Sequence, residues 1–255
     1  MPSGSQLTHY PLPGSTEGGY DKAADFVKTC YLNADDFPEC SRDSVQGVFN
    51  GIKDGYEPLD IPPLDPLFIP ELRILQGGDG PVSVNASLAN VTITGMGRGV
   101  VMSNSVDHDT FWFVTRIAVP LVRIQGYYIL MGRALLLPIT GSGDAWFEPR
   151  DMEMNATTQV SVKEREGVKF FKVDKVKVDF EVKGLKFRMN NLYNGLKTLE
   201  ESTNIYLNEN WRPVLESIKP VLAKTIEDVL FSLLERVFYN TPAKFFIADV
   251  EEIPA

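Results

Sequence analysis

The sequence predicts an α+β fold in which a long C-terminal helix lies along a highly curved antiparallel β-sheet. Two observations carry this. Between Gly80 and about Met189 apolar and polar residues alternate in successive runs, as strands do when one face is buried and the other wet. From Asn204 to Phe238 apolar residues recur instead every three or four positions, as on one face of a helix. Strands and long helix occupy separate stretches of chain, which is the α+β pattern, and a helix of that length implies a sheet wrapped along it.

The elements follow in order. Residues 1–20 hold Pro, Gly, Ser and Thr with little apolar pattern and read as a mobile N-terminal arm, leaving 21–255 as one domain. Cys30 and Cys40 flank Asn33, Asp35, Asp36 and Pro38, turn formers that can bring the two sulfurs together; two free buried thiols are the alternative. From Ser41, a plausible N-cap, Val45, Val48, Phe49 and Ile52 form one helical stripe that Gly55 stops. Prolines 58, 62, 63, 66 and 70 then forbid a regular helix, while Leu67, Ile69 and Leu72 keep an extended path apolar.

Among the strands, Val82, Val84, Ala86 and Leu88 alternate before the phase shifts by one to Val91 and Ile93, as a bulge causes. Met152, Met154, Ala156, Thr158, Val160 and Val162 alternate likewise. The clearest strand sets Val176, Val178, Phe180 and Val182 inward against Lys175, Lys177, Asp179, Glu181 and Lys183, and Gly184 offsets the register before Leu185, Phe187 and Met189. Three N-x-S/T sequons, at Asn85, Asn90 and Asn155, fall on the polar strand faces, where a glycan could sit. Read as one helix, Asn204–Phe238 would be about 50 Å long, with Pro213 in its first turns and Pro220 bending it.

Composition sets the limits. The 255 residues are 44% apolar and 23% charged, enough to bury a sizeable core. A net charge of −9 disfavours a nucleic-acid partner and tight docking on anionic lipid, both of which call for clustered Lys and Arg. No run of about 18 uncharged apolar residues exists to insert stably in a membrane as a helix. The opening residues lack the cationic and apolar regions of a signal peptide and read as a mature chain behind a start residue.

Catalytic chemistry is scarce. His9 lies in the arm and His108 in a polar, loop-like stretch. No zinc, P-loop or second cysteine-pair motif occurs, so no cofactor or metal is expected. Gly95–Gly99 (GMGRG) lacks the spacing of a dinucleotide loop and reads as a turn or bulge. TGSGD at 140–144 departs from G-x-S-x-G, leaving a lipid-ester hydrolase built on Ser142 as a remote alternative. What stands out is apolar surface, including 15 Phe, 9 Tyr and 7 Met, around an interior that pattern alone leaves either filled or open.

Paired cysteines before an amphipathic helix, IPPLDPLFIPELRI at 61–74, GRALLLPITGSGD at 132–144, NLYNGLKTLEESTNIYLNENW at 191–211 and VFYNTPAKFFIAD at 237–249 strongly resemble the insect takeout and juvenile hormone binding proteins. The resemblance, over about residues 23–249, implies a tubular lipid-binding (TULIP-like) fold enclosing an apolar tunnel, a Cys30–Cys40 disulfide and secretion into haemolymph or another extracellular fluid. With no cysteines left for the second disulfide of the moth hormone carriers, the chain sides with the takeout branch. The implied function is carriage of a small elongated apolar ligand: an isoprenoid such as juvenile hormone, a quinone or carotenoid pigment, or a fatty acid. A membrane-docking lipid transfer module is the alternative, and no receptor is indicated. The residues expected to line the tunnel are Val45, Phe49 and Ile52 of the first helix and Leu67, Ile69 and Leu72 of the Pro-rich segment. Phe111, Phe113, Val176, Val178 and Phe180 join them from the strands, with Trp211, Leu215, Ile218, Leu222, Ile226, Val229 and Leu233 from the long helix. Tyr127, Tyr128 and Trp211 are the candidates for orienting a polar head group.

Overall fold

The computed structural model describes residues 26–77, 82–107, 110–135 and 137–250; the arm at 1–20, His9 and His108 lie outside the described residues. A helix, α1 (Phe37–Ile52), leads into seven strands: β1 (Leu67–Gln76), β2 (Val82–Thr94), β3 (Val100–Asp107), β4 (Trp112–Leu121), β5 (Arg123–Ala134), β6 (Leu137–Arg165) and β7 (Val168–Met189). Helices α2 (Lys197–Glu209) and α3 (Trp211–Asn240) follow.

The sheet is organised around β6, 29 residues long. One side of β6 pairs with β7; the other pairs with β5 along its first third and with β4 beyond Pro149. Strands β4 and β5 thus run end to end, interrupted at Val122, whose N–H donates to Pro149 O at 3.1 Å. Outside them lie β3 at one end and β2 and β1 at the other. Fully extended, β6 would span about 95 Å, against about 45 Å for α3. A strand twice as long as the helix beside it can stay alongside only by curling around it. Helix α3 abuts β7 on one flank and β1 on the other, while α1 covers β3.

Local chemistry explains the turns. Glu166 and Gly167 both have positive φ, 53° and 78°, the two-residue type I′ turn that lets β6 and β7 form one long hairpin. The expected bulge in β2 is present: Asn90 sits at φ 52° and the β2–β5 register shifts between Ala89 and Thr92. The inward set of β7 passes from Val176, Val178 and Phe180 to Phe187 and Met189 across Gly184, as the alternation requires. Pro70 is tolerated because β1 is an edge strand.

Two helix boundaries differ from the sequence reading. Helix α1 starts at Phe37 rather than Ser41, with Pro38 in its first turn, where the missing N–H costs nothing. Ser41 is therefore internal, its hydroxyl donating to Pro38 O at 3.3 Å. The expected single helix from Asn204 to Phe238 is two helices, broken at Asn210 (φ −111°, ψ 32°). Pro213 causes the break: in a continuous helix it would leave Glu209 O without a donor and drive its ring into that carbonyl. Asn210 Nδ2 instead donates to Tyr206 O at 2.8 Å, capping α2.

The sheet edges are closed by side-chain amides. Asn204 accepts from Met189 N and donates to Met189 O, each at 2.9 Å. Asn208 does the same for Phe187, at 3.0 and 2.8 Å. Four helical residues rise about 6 Å and two strand residues about 6.7 Å, so asparagines at i and i+4 match alternate residues of an edge strand. Farther along β7, the buried Glu227 of α3 accepts from Val178 N at 3.1 Å. On β3, Gln46 of α1 accepts from Val101 N at 2.7 Å and donates to Gly99 O at 3.3 Å.

A candidate apolar ligand cavity

At the α1 end the helices and the sheet do not fill the space between them. A cavity of about 170 Å³ lies between α1, the concave faces of β3, β4 and β6, and the last turns of α3. Each wall follows from a sequence period. Val45, Val48, Phe49 and Ile52 form the α1 stripe, Phe113, Thr115 and Ile117 alternate on β4, and Leu230, Leu233, Leu234, Val237 and Phe238 face in from α3. The last wall comes from two segments far apart in sequence, around Cys30 and Phe246. Cys30 N donates to Phe246 O at 2.9 Å and Ala248 N to Cys30 O at 2.8 Å, while Asp249 accepts from Leu32 N at 2.8 Å. This bridge seats Phe246 and Ile247 on the cavity, with Phe246 edge-on to Phe238 at 5.2 Å. The Cys30–Cys40 disulfide, Cα–Cα 5.8 Å, ties the same segment to the start of α1.

Polar groups on the wall are few. Asn104 of β3 is 3% exposed; its Oδ1 accepts from the Thr115 hydroxyl at 2.8 Å. Ser44 of α1 and Thr158 of β6 also face the cavity. A second depression, about 580 Å³, lies at the opposite end between α2 and the β6–β7 ribbon, but Arg150, Lys186, Arg188, Glu201 and Glu209 give it a charged rim.

Of the residues expected to line a tunnel, Val45, Phe49, Ile52, Phe113 and Leu233 share the cavity wall. Ile69 is buried beside Tyr128 in a cluster at the far end, with Leu67, Leu72 and Ile218 packed against it. Val176, Val178, Phe180 and Leu215 form a middle cluster that Leu222 and Ile226 join from α3. Trp211 touches both clusters, and Val229 is half-buried on α3. Phe111, at φ 51°, sits in the β3–β4 turn. Of the head-group candidates, Tyr127 is 45% exposed. Tyr128 is buried, donates to Asn190 O at 2.8 Å, and its hydroxyl pKa is pushed up to about 12 by burial, then by the charges of Glu200 and Tyr127.

Sequence reasoning passed over Asn104, Thr115, Thr158, Phe246 and Ile247. Asn104 carried a signal: it is a polar residue at an inward position. It went unread because the register shift between Val101 and Ser103 and the exposed Val100 and Met102 leave β3 without a clean inward alternation. The remaining motifs have structural explanations. Ser142 lies inside strand β6, not on the strand-to-helix turn of a nucleophile elbow. The Gly95 and Gly97 N–H groups are taken by the Asp65 carboxylate at 2.9 to 3.1 Å, which pins the Pro-rich segment to the GMGRG turn.

A long helix spanned by a single curved antiparallel sheet, with apolar space kept between them, defines the tubular lipid-binding class of fold. The chain belongs to the haemolymph juvenile hormone binding protein (JHBP) family, whose model matches residues 12–248. It is similar to the circadian clock-controlled protein daywake of Drosophila yakuba, 22% identical over 231 residues and covering 88% of each chain. Daywake of Drosophila melanogaster is 20% identical over 228 residues, covering 85% of each. Among solved structures, Takeout 1 of Epiphyas postvittana shares the fold, with a TM-score of 0.70 at 23% identity over 89% of this chain and 99% of that one.

Proposed function

We propose that this protein is an extracellular carrier that encloses a small elongated apolar molecule, an isoprenoid, quinone, carotenoid or fatty acid, and keeps water from it in transit. The observation that carries the reading is the cavity itself: space walled by aliphatic and aromatic side chains from α1, the sheet, α3 and the Phe246–Ile247 segment. The family description, which names a haemolymph hormone binding protein, supports it. The disulfide supports an oxidising, extracellular setting. Burial of apolar ligand surface at about 25 cal/mol per Å² supplies affinity without catalytic groups, so a few hundred Å² suffice for micromolar binding after the costs of association.

Displacement of a fluorescent fatty acid from delipidated protein tests this. Leu233→Trp, on the cavity wall, is expected to weaken probe binding about tenfold, equivalent to about 1.4 kcal/mol, with little change in melting temperature. Leu215→Trp, in the packed middle cluster, is expected to cost about 1 to 3 kcal/mol of stability instead. No binding of any isoprenoid, quinone, carotenoid or fatty acid at micromolar concentration would overturn the carrier reading.

A membrane-docking lipid transfer role is the second reading, favoured by exposed Leu196, Leu199 and Ile205 on and just before α2. Flotation with liposomes, lost in Leu199→Glu, would establish it; no flotation would dismiss it.

A further inference from the structure

The cavity wall is mostly apolar, and the most buried of its few polar side chains, Asn104, holds a hydrogen-bond donor. Asn104 lies at an inward position of β3, opposite Thr115 of β4 in the strand register. Its side chain is 3% exposed, so the amide has left bulk water. The carbonyl half is satisfied by the Thr115 hydroxyl at 2.8 Å. The amide nitrogen has no hydrogen-bond acceptor among the described residues, and Asn104 is part of the cavity lining. Burying an amide N–H without a partner is unfavourable, and a leucine or valine here would complete the wall. The arrangement is polarised as well: because Thr115 occupies Oδ1, what Asn104 offers the cavity is two N–H groups and no lone pair.

We infer that Asn104 is the head-group anchor of the cavity, selecting ligands that carry a hydrogen-bond acceptor, a ketone, ester, quinone carbonyl or epoxide oxygen, at the end of an apolar chain. The inference rests on the carrier reading and narrows it. Thr115 acts behind Asn104 as a positioning residue, fixing which half of the amide points inward. A donor-only ligand finds no partner at this place, and a pure hydrocarbon leaves the amide unpaired. Two neutral donors suit a neutral oxygen.

Methyl tetradecanoate and heptadecane, matched in number of heavy atoms, serve as probes by displacement of a fluorescent reporter from the intact protein. In Asn104→Leu the affinity ratio of ester to alkane is expected to move about five- to tenfold against the ester, the effect of one neutral hydrogen bond. Asn104→Asp, which keeps an acceptor for Thr115 but presents oxygen to the ligand, should move the ratio the same way. Should either variant fold poorly, the native protein gives an independent readout. The Asn104 side-chain NH₂ cross-peaks in a ¹⁵N-resolved NMR spectrum are expected to shift downfield on adding the ester and not on adding the alkane. An unchanged ratio with stationary cross-peaks, while both probes bind, would overturn the anchor and leave the carrier standing. Failure of both probes to bind would remove the carrier reading and the anchor with it.

Discussion

Single residues in this protein satisfy backbone more than they perform chemistry. Asn204 is the plainest case, since its amide pairs with both the N–H and the O of Met189 and donates again to Glu200 O at 3.0 Å. Asn204→Ala would strand the buried backbone polar groups of Met189 and is expected to cost about 2 to 3 kcal/mol, read from urea unfolding. Asn210→Asp, at a half-buried cap, should by comparison cost well under half of that. Tyr128 sets an alkaline limit. Its ordinary pKa of 10.0 is raised to about 12 in the folded chain, so folding favours the neutral phenol. That contribution is whole below pH 10 and is lost as pH climbs from about 10 through about 12. Tyr128→Phe should therefore differ most from the native protein at neutral pH and converge on it in that window; parallel stability curves would refute the assignment. Asn85, Asn90 and Asn155 are all exposed, as the polar strand faces required. Asn85 sits in one cross-strand row between Leu75 and Met131, themselves 63% and 70% exposed. Protein from its native source is expected to gain mobility on a gel after glycosidase treatment, most of the shift disappearing in Asn85→Gln.

At the scale of elements, legibility tracked periodicity. The β2 bulge, the β7 alternation and the α1 stripe could be read because burial on one face enforces a period. What the sequence obscured was the length of β6, since Pro138, Gly141, Gly143 and Pro149 look like breaks. Each has a place in the strand. Pro149 stands opposite the gap between β4 and β5, where a donor would have little to meet and its carbonyl takes Val122 N. At Gly141 and Gly143 a Cβ would come within 2.9 Å of Leu192 Cα and 2.6 Å of Asn190 O, so the glycines let the segment before α2 lie directly on the strand. The helix break at Asn210 was missed because the apolar period runs on past it while Pro213, in the first turn of α3, governs the backbone. Replacing Cys30 and Cys40 by serine should cost about 2 to 3 kcal/mol, as expected for closing so short a loop. Because that loop braces the cavity's end wall, probe affinity should fall as well.

For the molecule as a whole, fold class followed from the order of its patterns, whereas the position of the cavity did not. Whether an inward Leu touches another side chain or open space depends on how far the sheet curls from α3, and no local period encodes that distance. The seam is packed at the Tyr128 end and open at the Phe49 end. Affinity in a fatty-acid series should accordingly rise about fourfold per CH₂, equivalent to about 0.8 kcal/mol, and then level off once the open end is full. A rise without plateau would mean that the seam parts along its whole length. The bridge between Cys30 and Phe246 bears on how this end behaves in time. Most of the sheet is hairpins that can zip from their own turns, whereas the Leu32–Asp249 contact joins residues 217 apart. Closures that distant form late in folding, because the entropy of closing a long loop must be met before the contact rewards it. The Cys30–Leu32 and Phe246–Asp249 segments are therefore expected to act as a stopper that can be drawn while the wrapped sheet stays whole. In native-state hydrogen exchange, the amides of Cys30, Leu32 and Ala248 should open at a lower free energy than those paired between β6 and β7, and bound ligand should slow them first.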